Sequence, residues 1–340
     1  MSERRFDVTA IGNAIVDVIA AADDALLIQH GLVKDAMTLI DAADAERLYG
    51  IMGPGRETSG GSAGNTIAGI AALGGRTAYI GKVADDQLGN VFTHDIRATG
   101  VTYDTPALTR GLPTARCLIF VTPDAHRTMQ TFLGATTQLG PEDVNMKYIT
   151  SSRVLYLEGY LWDQPRAKQA MREAAVKAHA AGVKVSLTLS DSFCVDRYRS
   201  EFLELSEQYV DVLFANEAEI LSLYQVGTFN EAVHRVRAHC EIAALTRSDK
   251  GSVVVSGDEL HVIDAVPDVT VVDTTGAGDA YAAGFLYAYT RDADLATCGR
   301  LGGAMAAEVI SHYGARPESD VKALAAPILS GRTTRGGPSR

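Results

Sequence analysis

The sequence predicts an α/β protein built on a large, mostly parallel sheet with helices on both faces. Three observations carry that prediction. Between residues 154 and 263, short β-branched or apolar runs alternate with longer segments of helical periodicity, the pattern of repeated strand–helix crossovers. Strand-like runs there and at 6–11 end in polar or glycine-rich stretches such as Gly12-Asn13, Ser190-Asp191 and Asn216-Glu217, and open parallel sheets bind ligands beyond the carboxyl ends of their strands. The chain, at 340 residues and 46% hydrophobic, can also bury one large core with a small appendage.

Taken in order, residues 6–11 read as a first strand emptying into Gly12-Asn13, and residues 14–19 as a second apolar run interrupted by Asp17. A short helix over 23–31, a strand over 37–40, a helix over 44–49 and a turn at Gly53-Pro54-Gly55 follow. Gly60-Gly61-Ser62-Ala63-Gly64-Asn65 leads into a helix of small residues over 66–73, then a strand over 77–80 and a helix over 87–98. Residues 114–122 and 126–133 read as a hairpin with Pro123-Asp124-Ala125 at its turn. The crossover region is expected as strands over 154–157, 183–189, 210–215 and 242–246, with helices over 165–180, 196–209, 217–224 and 229–240. Pro165 suits a first helical turn. A hairpin over 252–256 and 260–263, a strand over 269–272, and helices from 280 to 289 and from 295 to 309 complete the reading. The Gly-, Arg- and Ser-rich tail, 331–340, has no apolar anchor and reads as disordered.

Composition excludes several classes. A formal net charge of −11 offers no basic field to a nucleic-acid backbone. Cys117, Cys194, Cys240 and Cys298 are far apart, with no C-x-x-C pair and no metal-ligand spacing, as expected of reduced thiols. The first residues hold no apolar run of a secretory signal, and no apolar stretch approaches a membrane span. The expectation is a cytoplasmic protein with neither a membrane nor a nucleic-acid partner.

The chemistry concentrates at Asp273-Thr274-Thr275-Gly276-Ala277-Gly278-Asp279. A glycine-rich turn opening a helix presents free N–H groups backed by the helix dipole, which suits an anion. Gly276, Ala277 and Gly278 are the candidate anion hole. A carboxylate at Asp279 would repel a bound phosphate, so it makes sense as the group that takes a proton from an attacking hydroxyl while the N–H groups hold developing charge. The same spacing also fits a plain strand, turn and capped helix. No Gly-x-x-x-x-Gly-Lys-Ser/Thr loop and no protein-kinase signature occurs, which leaves this turn as the phosphate cradle. Met129 and Phe132 are candidate walls around a flat apolar group, or core.

The string at 273–279 resembles the C-terminal signature of the ribokinase-like (PfkB) carbohydrate and nucleoside kinases. A second signature of that family is matched by Gly60-Gly61-Ser62-Ala63-Gly64-Asn65, continuing through Gly74, Gly81 and Asp85-Asp86-Gln87-Leu88-Gly89. The two lie in the family's order, about 210 residues apart. The resemblance implies a single ribokinase-like three-layer domain over 1–330, with a central mostly parallel sheet and a small β-rich lid from about 14–50 and 112–135. It implies ATP and Mg2+ as cofactors, with K+ as a further ion. By the same resemblance Asn13, Asp17, Gly61 and Asn65 hold the substrate sugar, and vicinal hydroxyls do suit a carboxylate. Asn216, Thr246 and Gly251 are implied on the ATP side, with Glu219 holding Mg2+ through water and Asp273 at a monovalent-cation site. Ser248 departs from the family's glycine and puts the path of its loop in question.

Gly12-Asn13 to Asp17, Gly60-Gly61-Ser62 before Asn65, and the run from Arg127 to Ala135 most resemble the adenosine kinase branch. The resemblance thus implies phosphorylation of the 5′-hydroxyl of adenosine, with a sugar such as ribose or fructose as the alternative acceptor. A silent ligand-binding relative could lose Asp279 and its glycines, and all are present. A dinucleotide oxidoreductase would need Gly-x-Gly-x-x-Gly after the first strand, and this chain does not have it. The chain is expected as a monomer or homodimer.

Overall fold

The computed structural model describes residues 4–124 and 126–331. Ala125 of the expected turn and the tail from 332 onward lie outside the described residues. In chain order the strands are β1 (Phe6–Ile11), β2 (Ile15–Ala21), β3 (Met37–Leu39), β4 (Gly55–Gly60), β5 (Thr77–Ile80), β6 (Thr102–Tyr103), β7 (Ala115–Val121), β8 (Arg127–Phe132), β9 (Ser152–Glu158), β10 (Lys184–Thr188), β11 (Val212–Asn216), β12 (Ile242–Thr246), β13 (Ser252–Ser256) and β14 (Glu259–Ile263).

Nine of them form the large sheet, in the order β14-β13-β12-β11-β10-β9-β1-β5-β6. It is parallel from β12 to β6, and the β13–β14 hairpin closes one edge antiparallel. Its central strands alternate between two cores. Val8, Val154, Tyr156, Val212, Phe214 and Ala244 face one helical layer, while Leu155, Leu157, Leu213, Ala215 and Leu245 face the other. Period-two patterning with both faces apolar is what a parallel sheet between two helix layers requires. Helices Ser62–Ala72, Ala277–Tyr289 and Leu295–Val309 pack on the first face, and Pro165–Ala180 and Ser192–Gln208 on the second. The fold is thus three-layer α/β of ribokinase type.

β1 leaves the large sheet through Gly12-Asn13 and the chain at once enters a second sheet of five strands, order β3-β8-β7-β2-β4. Asp17 on β2, Cys117 on β7, Thr131 on β8 and Leu39 on β3 lie in register across it. Its strands span 15–60 and 115–132. The first stretch therefore runs past residue 50, because β4, with the sequence Gly-Arg-Glu-Thr-Ser-Gly, is a polar edge strand without the apolar alternation that marks a strand in sequence.

One further expectation is corrected. Residues 269–272 form no strand. Val271 is 58% exposed, and the segment is held through Val272 N–H on the Ile310 carbonyl. β-branched content alone does not make a strand where no neighbour supplies a ladder. A last helix, Val321–Leu329, closes the chain and carries Pro327 inside it, the residue that argues against a helix in sequence. Among the described residues no helix is long and apolar enough to cross a membrane.

Candidate active site

A cleft of about 670 Å³ opens where the carboxyl ends of the parallel strands meet the small sheet. Its lining brings together Asn13, Asp17, Gly61, Asn65, Met129, Asn216, Glu219, Thr246 and the whole of Gly276–Asp279, residues up to 266 positions apart in sequence. Phe132, Gly251 and Asp273 do not line it.

The signature turn is set by Gly276, at φ +77°, where a Cβ would lie 2.5 Å from the Cβ of Ala315. Ala277 N–H closes back on the Thr274 carbonyl at 3.2 Å, so part of the expected anion hole is spent on the turn itself. No backbone acceptor among the described residues takes the N–H groups of Gly278 and Asp279, and these are the donors left at the positive end of the helix Ala277–Tyr289.

Asp279 sits in the first turn of that helix and is gripped from the facing helix. Ser62 Oγ donates to its Oδ1 at 2.7 Å and Asn65 Nδ2 to its Oδ2 at 3.1 Å. The two donors are three residues apart on Ser62–Ala72, hence on one face. That helix begins at Gly61, at φ +87°, where a Cβ would strike the Asn13 carbonyl oxygen at 2.1 Å. Loss of surrounding water pushes the Asp279 carboxyl up to about 6 against the two hydrogen bonds. Asp17 is likewise pushed up to about 6 by burial, with Arg316 and Arg127 pulling down and Asp279 pushing up. Its carboxylate takes no protein hydrogen bond among the described residues, which leaves its lone pairs for a ligand.

Glu158, at the end of β9, is a site residue that sequence reasoning misses. It is 1% exposed and accepts from Asn13 Nδ2 at 2.6 Å, Asn13 N–H at 3.3 Å and Ala63 N–H at 2.9 Å. It thereby joins the β1 exit to the start of the Ser62–Ala72 helix. Burial raises its carboxyl to about 7. Nothing local in the sequence marks it; only its position at a strand end does.

The far wall belongs to one face of the small sheet. Ile15, Asp17, Met37, Leu39, Cys117, Met129 and Thr131 line the cleft, with Leu133 just past β8. All carry odd numbers within their strands, as one face of a sheet must. Phe132 is even, lies on the opposite face and is 6% exposed: a core residue. Met129 and Phe132 are an odd number of positions apart, so one strand cannot turn both to the cleft, and of the two readings for Phe132 the core one holds. Met37 and Leu39, 48% and 53% exposed, take the place of Phe132 in the wall.

On the other side, Asn216 and Glu219 form a reciprocal capping box at the end of β11. Glu219 is 6% exposed, and burial raises its carboxyl to about 7. Both residues face the cleft. No three His, Cys, Asp or Glu side chains cluster to hold a metal among the described residues. This donor set fits Mg2+, which keeps several waters and takes phosphate oxygens in place of an all-protein cage. Thr246 ends β12 beside them. Gly251, at φ +76°, is held by the chain, since a Cβ there would meet the Ile263 carbonyl oxygen at 2.0 Å. Ser248 does take a left-handed path, at φ 53°. Asp273 is occupied by protein donors: Arg127, the Thr275 N–H at 3.0 Å and the Gly314 N–H at 3.0 Å.

A family model described as pfkB family carbohydrate kinase matches residues 33–322. The solved structure of adenosine kinase from Sinorhizobium meliloti is 55% identical, with a TM-score of 0.88 over 95% of this chain and 99% of its own. That of a probable sugar kinase from Rhizobium etli CFN 42 is 52% identical, with a TM-score of 0.88 over 97% of this chain and 100% of its own. Among curated proteins, an ATP-dependent ribose-1-phosphate kinase from Halopiger xanaduensis is 30% identical over 277 residues, 80% of this chain and 86% of that protein.

Proposed function

This chain belongs to the pfkB carbohydrate kinase family and is an ATP-dependent phosphotransferase, and we propose that it phosphorylates the 5′-hydroxyl of adenosine, giving AMP and ADP. The observation that carries this reading is the composition of the small-sheet face. Asp17 stands at one end of the row that runs through Cys117 and Thr131 to Leu39, and Met37, Met129 and Leu133 extend the apolar end. A nucleoside divides in the same way. Its ribose hydroxyls suit a carboxylate without protein donors, and its flat base gains from apolar burial. The small sheet acts as the lid over that acceptor. The likeness to a structure named adenosine kinase supports the same reading.

In this mechanism Asn13, Gly61 and Asp17 hold the ribose, with Glu158 fixing Asn13. Asp279, aligned by Ser62 and Asn65, accepts the proton of the 5′-hydroxyl as it attacks. A carboxyl raised to about 6 is a better base than an ordinary aspartate while remaining ionised at neutral pH. The N–H groups of Gly278 and Asp279 stabilise charge on the transferring phosphoryl group. Family members generally use ATP with Mg2+, and the bound ion neutralises phosphate charge. Asn216 and Glu219 would hold its waters and Thr246 would lie beside the nucleotide.

A sugar acceptor is the second reading, favoured by the relatives named as sugar and ribose-1-phosphate kinases. Coupled ATP turnover with Mg2+ and K+ on adenosine, inosine, guanosine, ribose, fructose and ribose 1-phosphate separates the two. Adenosine preferred about 100-fold in kcat/KM, worth about 2.7 kcal/mol, supports the proposal; a sugar turning over as well or better replaces it.

A further inference from the structure

The cleft is acidic. Asp17, Glu158, Asp163, Asp191, Glu219 and Asp279 all line it, whereas Arg197 is the one cationic side chain in its described lining. A nucleoside triphosphate entering such a cleft meets repulsion that the end of one helix, equivalent to roughly half a charge, only partly offsets.

We propose that Arg197 is the second arm of the phosphate site, binding the polyphosphate of the nucleotide donor from the side opposite the 276–279 turn. The fold places it there. Helix Ala277–Tyr289 packs on one face of the large sheet and helix Ser192–Gln208 on the other, so the turn and Arg197 enclose the strand ends from two sides. Helix Ser192–Gln208 is broken at Tyr198, with φ −124° and ψ 26°. Before the break, Phe193, Cys194 and Arg197 line the cleft at the spacing of one helical face. Beyond it, Phe202 and Leu205 turn into the core. Its partner Asp163 lies in the turn after β9 and its own helix follows β10, so Arg197 stands past the ends of those two strands, with β11 the next strand over.

Its present partners leave it capacity. Nη2 lies 2.7 Å from Asp163 Oδ2 and 3.7 Å from Cys194 Sγ, and the side chain is 51% exposed. A guanidinium has five donors in a fixed fork, so one edge can keep Asp163 while the other takes a phosphate. Asp163 holds the arm at the cleft edge and competes mildly with the ligand. The inference rests on ATP-dependent phosphotransfer and is independent of the acceptor.

The test is calorimetric binding of MgADP, and separately of adenosine, to the wild type, R197Q, R197K and D163N, with melting curves as folding controls. R197Q is expected to weaken MgADP about tenfold or more, the loss of a charge-assisted hydrogen bond, and to flatten the salt dependence of that binding. Adenosine binding should be unchanged in R197Q. R197K should fall between wild type and R197Q, and D163N should bind MgADP at least as tightly as wild type. MgADP affinity unchanged in R197Q overturns the proposal, and so does an R197Q defect confined to adenosine. If R197Q does not fold, R197K decides: full wild-type affinity and salt dependence argue against the guanidinium fork. Adenosine failing to bind any variant, wild type included, would count against the acceptor reading and leave the MgADP comparison intact.

Discussion

Arg127, the first residue of β8, places Nη1 on the Asp273 carboxylate and on Thr275 Oγ1, the latter at 2.7 Å. One buried guanidinium thus joins the small sheet to the turn that carries the candidate anion hole. Asp273 is 7% exposed and Arg127 8%; burial pushes the Asp273 carboxyl up, but the N–H donors of Gly314 and Thr275, with Thr275 Oγ1 and Arg127 adding to them, hold it below its usual range. Its charge is balanced by the protein, so Asp273 acts as a brace for the loop. R127Q removes one partner and strands the other, an effect that costs roughly 3–5 kcal/mol for buried pairs. Denaturant unfolding of R127Q should show a loss of that order, and kcat should fall with it as the turn loosens. Unfolding at the wild-type midpoint would mean that the pair braces nothing.

Asp279 and Asp17 both carry carboxyls raised to about 6 and face the same cleft. Ionised forms of both serve the proposed reaction, so kcat/KM should fall as pH drops through about 6. Because both must be ionised, the acid limb should approach a slope of two protons below about 6, broadened by the repulsion through which Asp279 raises Asp17. D17N should return the limb to a slope of one. A wild-type limb already at one proton would separate the two groups.

Stability should respond in the opposite sense. A carboxyl whose folded pKa lies above its unfolded value binds its proton more tightly in the native state, so its contribution is fully present below about 4 and is lost as pH rises through about 6. D279N removes that ionisation. At pH 7 it should melt higher, by roughly 0.5–2 kcal/mol, as expected where a site trades stability for activity. Its turnover should drop by about 100-fold or more, with MgADP affinity retained. A variant that melts lower and turns over normally would remove Asp279 from the proposed role.

The large sheet is legible in the sequence because it is buried on both faces. Val212–Asn216 and Ile242–Thr246 are short apolar runs between helices, and the chain has no other use for such a pattern. The small sheet is less legible. β4 is polar, β3 has three residues, and the face of Phe132 depends on register, which pairing with β7 sets. Within the site, Asp279, Asn65 and Gly61 announce themselves through glycine-rich turns at helix starts. Glu158 and Ser62 do not, because their importance lies in what they touch across 95 and 217 positions. Val269–Val272 illustrates the reverse case, a strand-like string with no strand beside it.

The apolar end of the small-sheet row offers a test of substrate choice. Met129 pairs with Met37 across β8 and β3, and Leu39 stands one row nearer Asp17. If these side chains cover a base, M129T and L39T should raise the KM for adenosine, each by about tenfold, because a polar hydroxyl replaces the apolar cover over the ring. Ribose, which has no base, should keep its KM in both. Equal effects on ribose and adenosine would return Met129 and Leu39 to a packing role.

Ser248 takes φ 53° in the turn between β12 and β13, next to Thr246 at the cleft. Its side chain makes no hydrogen bond among the described residues that would compensate. A left-handed conformation costs an L-residue about 1–2 kcal/mol that glycine does not incur, while glycine gives back roughly 0.5–1 kcal/mol in unfolded-chain entropy. S248G should therefore raise stability by about 0.5–1 kcal/mol, read as a higher denaturant midpoint at unchanged slope. Since the serine already follows the path a glycine would take, S248G should leave the KM for ATP near the wild-type value. A changed KM at unchanged stability would show instead that the serine hydroxyl itself contacts the nucleotide.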